Sequence, residues 1–128
     1  MPKKKILIID DEPDVNTYLE AILKSSGYEA YSINDVSNAM ERVKEIKPKL
    51  ICLDIMMPRE TGISFYSKLR KDEKFSKTPV IIISGVVESE KFNIYTFVSD
   101  KSVSPPEFYM EKPINVENFL NAVKELTN

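Results

Sequence analysis

Short, wholly apolar runs alternate along this chain with longer stretches in which apolar residues recur every third or fourth position. Lys5-Ile6-Leu7-Ile8-Ile9 is continuously apolar after its lysine and rich in β-branched residues, as expected of a strand buried on both faces. Asp11-Glu12-Pro13 reads as a helix start, with proline suited to the first helical position. Val15, Leu19, Ile22 and Leu23 form the inward stripe of that helix. Gly27 ends it, because a residue without Cβ accepts the left-handed cap. Residues 28–32 predict a second strand. Val36, Ala39, Met40, Val43 and Ile46 predict a second helix, which Pro48 stops. Residues 50–53 predict a third strand ending at Asp54, and a loop through Met57, Pro58 and Gly62 leads to a helix over 63–71. Its inward residues are Ile63, Phe65, Tyr66 and Leu69. Residues 79–84 form a fourth buried strand and 108–110 a short fifth. Asn115 caps a last helix carrying Val116, Phe119, Leu120 and Val123. The stretch 86–106 is less regular. Within it 88–98 reads as a fourth helix with Phe92, Tyr95 and Val98 on one side, against its β-branched and aromatic content. Packing in the core is the plainer use of Phe92, Tyr95 and Phe97; an exposed partner surface is the other.

Five strands, each followed by a helix, predict an α/β fold: a single doubly wound (βα)5 domain over residues 1–128, its parallel sheet covered on both faces. In such sheets ligands bind beyond the carboxyl ends of the strands. The polar residues that end strands are Asp10 and Asp11, Asp54, Ser84 and Lys112, and the topology gathers them on one edge.

Composition narrows the chemistry. A length of 128 residues suits one domain, and 42% hydrophobic with 30% charged residues is an ordinary soluble balance. No apolar run is long enough to cross a bilayer. The apolar stretch after Lys3-Lys4-Lys5 stops at Asp10, too short for a signal peptide, so a cytoplasmic location is expected. The lysines read as a solvated lead-in to the first strand. With a net charge of −2 and no basic stripe elsewhere along the sequence, neither direct nucleic-acid contact nor a membrane partner is expected. Cys52, the only cysteine, lies in an apolar run and reads as a buried structural thiol. The chain has no histidine, which excludes Ser-His and Cys-His catalysis, histidine-ligated metals and a phosphohistidine carrier.

Three carboxylates meeting at one edge repel. Two unit charges ~4 Å apart cost ~1 kcal/mol in water and ~4 kcal/mol at an effective dielectric of 20. A hard divalent cation offsets this, and Mg²⁺ suits oxygen ligands where no thiol or imidazole favours zinc. A carboxylate beside Mg²⁺, an ammonium and a hydroxyl suits phosphoryl transfer to aspartate. In this reading Asp54 attacks, Asp10 and Asp11 hold the metal, and Ser84 and Lys112 bind phosphoryl oxygens. Each residue also has a plainer use: helix caps for the acidic pair, a turn for Asp54, a cap for Ser84, solvation for Lys112. Those uses would have to coincide at every strand end.

The set resembles the receiver domains (CheY-like) of two-component response regulators. The resemblance is carried by Ile8-Ile9-Asp10-Asp11-Glu12, Asp54-Ile55-Met56-Met57-Pro58 with Gly62, Ile83-Ser84-Gly85, and Tyr109-Met110-Glu111-Lys112-Pro113. It implies a flavodoxin-like strand order of 2-1-3-4-5. It also implies that Asp54 is the phosphoacceptor, Asp11 a direct Mg²⁺ ligand, Asp10 a ligand through water, and the Met56 backbone carbonyl a third ligand group. Ser84 matches the switch hydroxyl, Lys112 the phosphoryl-binding lysine and Tyr109 the aromatic that swings inward; a half-buried structural tyrosine is the alternative. The Lys112-Pro113 peptide is expected to be cis. The implied partners are a histidine kinase or histidine phosphotransfer protein and a downstream protein target, with a homodimer through the fourth-helix and fifth-strand region as one mode of association.

Two departures fall on that last region. Pro105-Pro106 stands where the family has Gly-Ala, and the segment between Ser84 and Lys112 is longer than usual. Apolar Met56 and Val86 occupy positions where the family tunes acyl-phosphate hydrolysis, so slow self-dephosphorylation is expected. Haloacid dehalogenase-like phosphatases use a similar nucleophile but carry a second acid two positions later. Met56 stands there, so the chain is not expected to be an enzyme with turnover of external substrates. A degenerate receiver that only binds proteins is a third reading, opposed by the intact acids and Lys112.

Overall fold

In the computed structural model, which describes residues 2–54, 62–85 and 104–128 apart from the side chain of Ile63, the apolar runs become five parallel strands. These are β1 (Lys5–Ile9), β2 (Glu29–Ile33), β3 (Leu50–Asp54), β4 (Val80–Ser84) and β5 (Phe108–Glu111). The described helices are α1 (Pro13–Ser25), α2 (Ala39–Ile46), α3 (Gly62–Lys71) and α4 (Val116–Thr127). The sheet order is β2-β1-β3-β4-β5, the flavodoxin-like order. The helix read over 88–98, with Phe92, Tyr95, Phe97 and Val98, lies outside the described residues, as do Met56, Met57, Pro58 and Val86.

Period-2 alternation sends successive strand residues to opposite faces, and each face has its own core. Leu7, Ile9, Ile51, Leu53, Val80 and Ile82 pack with Val43 of α2 and Phe65, Tyr66 and Leu69 of α3. Ile6, Ile8, Leu50, Cys52, Ile81 and Ile83 pack with Leu19 and Leu23 of α1 and Phe119 and Val123 of α4. Burial on both faces is why β1, β3 and β4 read as unbroken apolar runs.

Local signals set most boundaries. Gly27 takes φ +92° at the end of α1, where a Cβ would be strained. The Asn115 side chain accepts from the Asn118 N–H at 2.9 Å and caps α4. Several boundaries move, β4 starting at Val80, β5 ending at Glu111 and α3 starting at Gly62, and two of the shifts have a visible cause. β2 runs one residue later than expected, because Tyr28 donates its N–H to Leu23 O at 3.0 Å and so belongs to the helix exit. Helix α2 begins at Ala39, since Val36 is buried but spent on a turn that accepts from the Ala39 N–H at 3.2 Å.

Cys52 is fully buried, and burial alone pushes its thiol from 9.0 to about 12. The folded chain therefore keeps this proton where the unfolded chain has lost it, so the group's contribution to stability falls as pH rises through 9 toward 12. Native protein should resist alkylation by iodoacetamide at pH 8 and react fully once unfolded; intact-mass measurement with and without denaturant checks this.

The linear sequence shows no basic stripe beyond Lys3-Lys4-Lys5, but the fold makes one. The Lys49 N–H donates to Lys5 O at 2.8 Å, so the lead-ins to β1 and β3 run side by side.

Candidate functional site

The strands deliver their terminal residues to one edge, and their parity sorts them. Continuing the alternation of Ile6 and Ile8 gives Asp10; that of Leu50 and Cys52 gives Asp54; that of Phe108 and Met110 gives Lys112. All three belong to the face covered by α1 and α4. Val80 and Ile82 continue to Ser84, which with Tyr109 belongs to the opposite face.

The first group meets in space. The Lys112 Nζ lies 2.9 Å from Asp10 Oδ2, 2.8 Å from Glu12 Oε1 and 3.6 Å from Asp54 Oδ2. Asp10 and Asp54 are buried, while Asp11 is half-buried and Glu12 exposed. One oxygen from each of Asp10, Asp11, Glu12 and Asp54 can be drawn within 4.8 Å of the others. Four carboxylates thus face one ammonium. Burial acts to lower the Lys112 pKa, but hydrogen bonds with Glu12 and Asp10 and the charge of Asp54 outweigh it and raise the amine above its ordinary range. It is a fixed positive charge at neutral pH.

The acidic loop is held locally. Asp10 Oδ1 accepts from the Glu12 N–H at 2.9 Å, and the Asp10 N–H donates to Ile33 O at 3.1 Å. The buried Asn16 side chain donates to Asp10 O at 2.8 Å. Glu12, not the acidic pair, is the residue at the start of α1, and its side chain makes no cap. Neither Asp10 nor Asp11 is the N-cap residue, although Asp10 holds the Glu12 N–H just ahead of the helix. The positive end of the α1 dipole favours negative charge near them.

The second group forms a pair. Ser84 is fully buried and shares a side-chain hydrogen bond with Tyr109. Burial raises the Tyr109 pKa, the Ser84 bond opposes this and Glu111 adds to it. Tyr109 is half-buried against the core of the α2 and α3 face. The Lys112 N–H donates to Ser84 O at 2.9 Å, joining the two groups. The Lys112-Pro113 peptide is cis, as the resemblance implies.

Of the residues picked from sequence, Asp10, Asp11, Asp54 and Lys112 come together, and Ser84 and Tyr109 pair beside them. Met56 falls outside the described residues. Glu12 and Asn16 are site residues that the sequence reading left out. Glu12 follows the acidic pair directly, which is a readable signal; Asn16, an amide on the inward face of an amphipathic helix, is a fainter one. The oxygen-only donor set fits a hard cation such as Mg²⁺.

One consequence is measurable without any phosphodonor. Removing one of four crowded charges relieves repulsion, so Asp11→Asn should stabilise the protein in EDTA. The gain is about 0.5–1 kcal/mol, because half-exposed Asp11 is partly screened. Mg²⁺ should raise the melting temperature of the wild type more than that of the variant; thermal unfolding with and without Mg²⁺ checks both.

A family profile described as the response regulator receiver domain matches residues 6–124. Protein PilG of Pseudomonas aeruginosa is 28% identical over 120 residues, covering 94% of this chain and 84% of that protein. The DNA-binding dual master transcriptional regulator RpaA of Synechocystis is 28% identical over 123 residues, covering 95% of this chain and 48% of its own length. The chain thus spans about half the length of some relatives that it matches. The solved receiver domain of Francisella response regulator 1452 is 26% identical with a TM-score of 0.81, covering 98% of this chain and 97% of that one.

Proposed function

The chain belongs to the response regulator receiver domain family of two-component systems, and from that premise we propose that Asp54 accepts a phosphoryl group in a Mg²⁺-dependent reaction. The observation that carries the reading is the meeting of Asp54, the acidic pair and Lys112 within a few ångströms at the carboxyl edge of the sheet. Asp10, Asp11 and Asp54 would hold the metal, with the Met56 carbonyl as a further ligand group. When bound, Mg²⁺ neutralises charge on the phosphoryl oxygens. The Asp54 carboxylate attacks phosphorus, an O–P bond forms, and the bond from phosphorus to the donor breaks, leaving its electron pair on the donor. Lys112 sits 3.6 Å from Asp54 and supplies a fixed ammonium for the product's oxygens.

The donor in this reading is a histidine kinase or histidine phosphotransfer protein. Ser84 supplies the switch hydroxyl. Moving it toward a phosphoryl group on Asp54 breaks its bond with Tyr109, so the tyrosine repacks and alters a surface read by a downstream protein. The reading places the chain in the cytoplasm; no helix of the described residues is long and apolar enough to cross a membrane. The chain catalyses its own modification and does not turn over an external substrate.

Incubation with Mg²⁺ and acetyl phosphate, followed by intact-mass measurement, separates the alternatives. Addition of a single phosphate, absent in EDTA, supports the switch. Continuous phosphate release marks a phosphatase, and an unchanged mass marks a degenerate receiver.

A further inference from the structure

The edge of the sheet opposite the acidic site carries the opposite charge. Lys3, Lys4 and Lys5 lead into β1, and Lys47 and Lys49 flank the buried Pro48 ahead of β3. The backbone bond from Lys49 N–H to Lys5 O at 2.8 Å holds the two segments together. The five lysines line a groove of ≈ 420 Å³ that also includes Glu45. Among the described residues none of the five makes an ion pair, and Glu45 lies 3.4 Å from Arg42. Five like charges therefore share one rim with little internal compensation.

Fold stability does not account for the cluster. The negative end of the α2 dipole favours Lys44 and Lys47, but Lys3, Lys4, Lys5 and Lys49 lie outside any helix. Lys47 is the most telling. It adopts φ 55° and ψ 60°, a left-handed conformation that disfavours any Cβ and usually selects glycine at a helix end. Pro48 follows it, and a residue before proline is pushed toward extended backbone. A lysine held there against both preferences keeps an ammonium on the rim.

We propose that this groove is a docking site for a short acidic segment of a partner protein. Three observations favour that occupant over other polyanions. The groove contains no aromatic residue on which a nucleic-acid base could stack. It contains no arginine or amide for reading base edges. The whole chain carries a net charge of −2, so a long polyanion meets repulsion beyond the patch, whereas a short segment feels only the local field within a Debye length of about 8 Å. A flat anionic bilayer cannot enter the groove, whose isoleucine, Ile46, is buried. The proposal does not depend on the chemistry at the other edge.

Fluorescence anisotropy with a labelled oligoglutamate peptide tests it on the full chain. The wild type should bind at low salt and release the peptide as salt rises. The double variant Lys3→Glu, Lys49→Glu should bind roughly tenfold more weakly, whereas Lys124→Glu, at an exposed position of α4, should bind as the wild type does. Lys47→Gly should bind several-fold more weakly yet melt at a higher temperature, two opposite changes that a purely structural lysine would not produce. No binding by the wild type, or equal binding by the double variant, overturns the proposal. Tighter binding of a single-stranded oligonucleotide or of phosphatidylserine vesicles at the same salt overturns it equally, by assigning the groove to another occupant.

Discussion

Asp54→Asn should take up no phosphate from acetyl phosphate under conditions in which the wild type gains one. The asparagine side chain matches aspartate in shape, so the buried end of β3 keeps its packing. What it lacks is the nucleophile: an amide oxygen does not form a stable acyl phosphate. It also removes one of the four carboxylates that make the cluster attractive to Mg²⁺. The effect is a complete loss, read by intact mass, with circular dichroism confirming the fold. Undiminished uptake by the variant would move the acceptor elsewhere.

Arg70→Ala should be the most destabilising single change outside the apolar core. Arg70 is an arginine of α3 whose side chain is only 2% exposed. Its Nε donates to the Tyr66 hydroxyl at 2.9 Å, Nη1 to Thr78 O at 2.5 Å and Ser76 O at 3.3 Å, and Nη2 to Glu107 Oε1 at 2.9 Å. The same Glu107 oxygen accepts from the Val80 N–H at 2.8 Å. Tyr66 in turn donates to Ser104 O, and the guanidinium lies 4.8 Å from the Tyr66 ring centroid. One side chain thus ties α3, the approach to β4 and the approach to β5. Truncation strands Glu107 and two carbonyls and opens a cavity. Breaking a buried pair costs about 3–5 kcal/mol; the lower end is expected here because Glu107 is 35% exposed. Arg70→Lys should recover only part of this, since an ammonium cannot reproduce the fork. Denaturant unfolding measures both.

The sequence declared its strands where burial is two-sided, because β1, β3 and β4 carry polar residues only at their ends, Lys5, Asp54 and Ser84, and none that breaks the run. Helix ends were legible where a residue's chemistry fixes the backbone, as at Gly27 and Asn115. The start of β2 was not: only the fold shows that the Tyr28 N–H is taken by α1. The site was legible because a doubly wound sheet must bring its strand ends together, so Asp10, Asp54 and Lys112 needed no contact information. Glu12 was not singled out, since an acid at a helix start already has an adequate local reason. The Arg70 network and the lysine groove depend on segments far apart in sequence. In the first, Tyr66 and Arg70 share a helix face but Glu107 lies 37 positions beyond Arg70. In the second, charges that look like a lead-in at positions 3–5 acquire their neighbours only through β1–β3 pairing.

The identity of the phosphorylated atom is the most direct test of phosphoryl transfer to Asp54. Reduction of the phosphorylated protein with borohydride converts an aspartyl phosphate to homoserine, and peptide mass mapping then locates it. Homoserine is expected at position 54 alone, and only when Mg²⁺ was present. Homoserine at another acid, or phosphate retained on a hydroxyl after reduction, would contradict it.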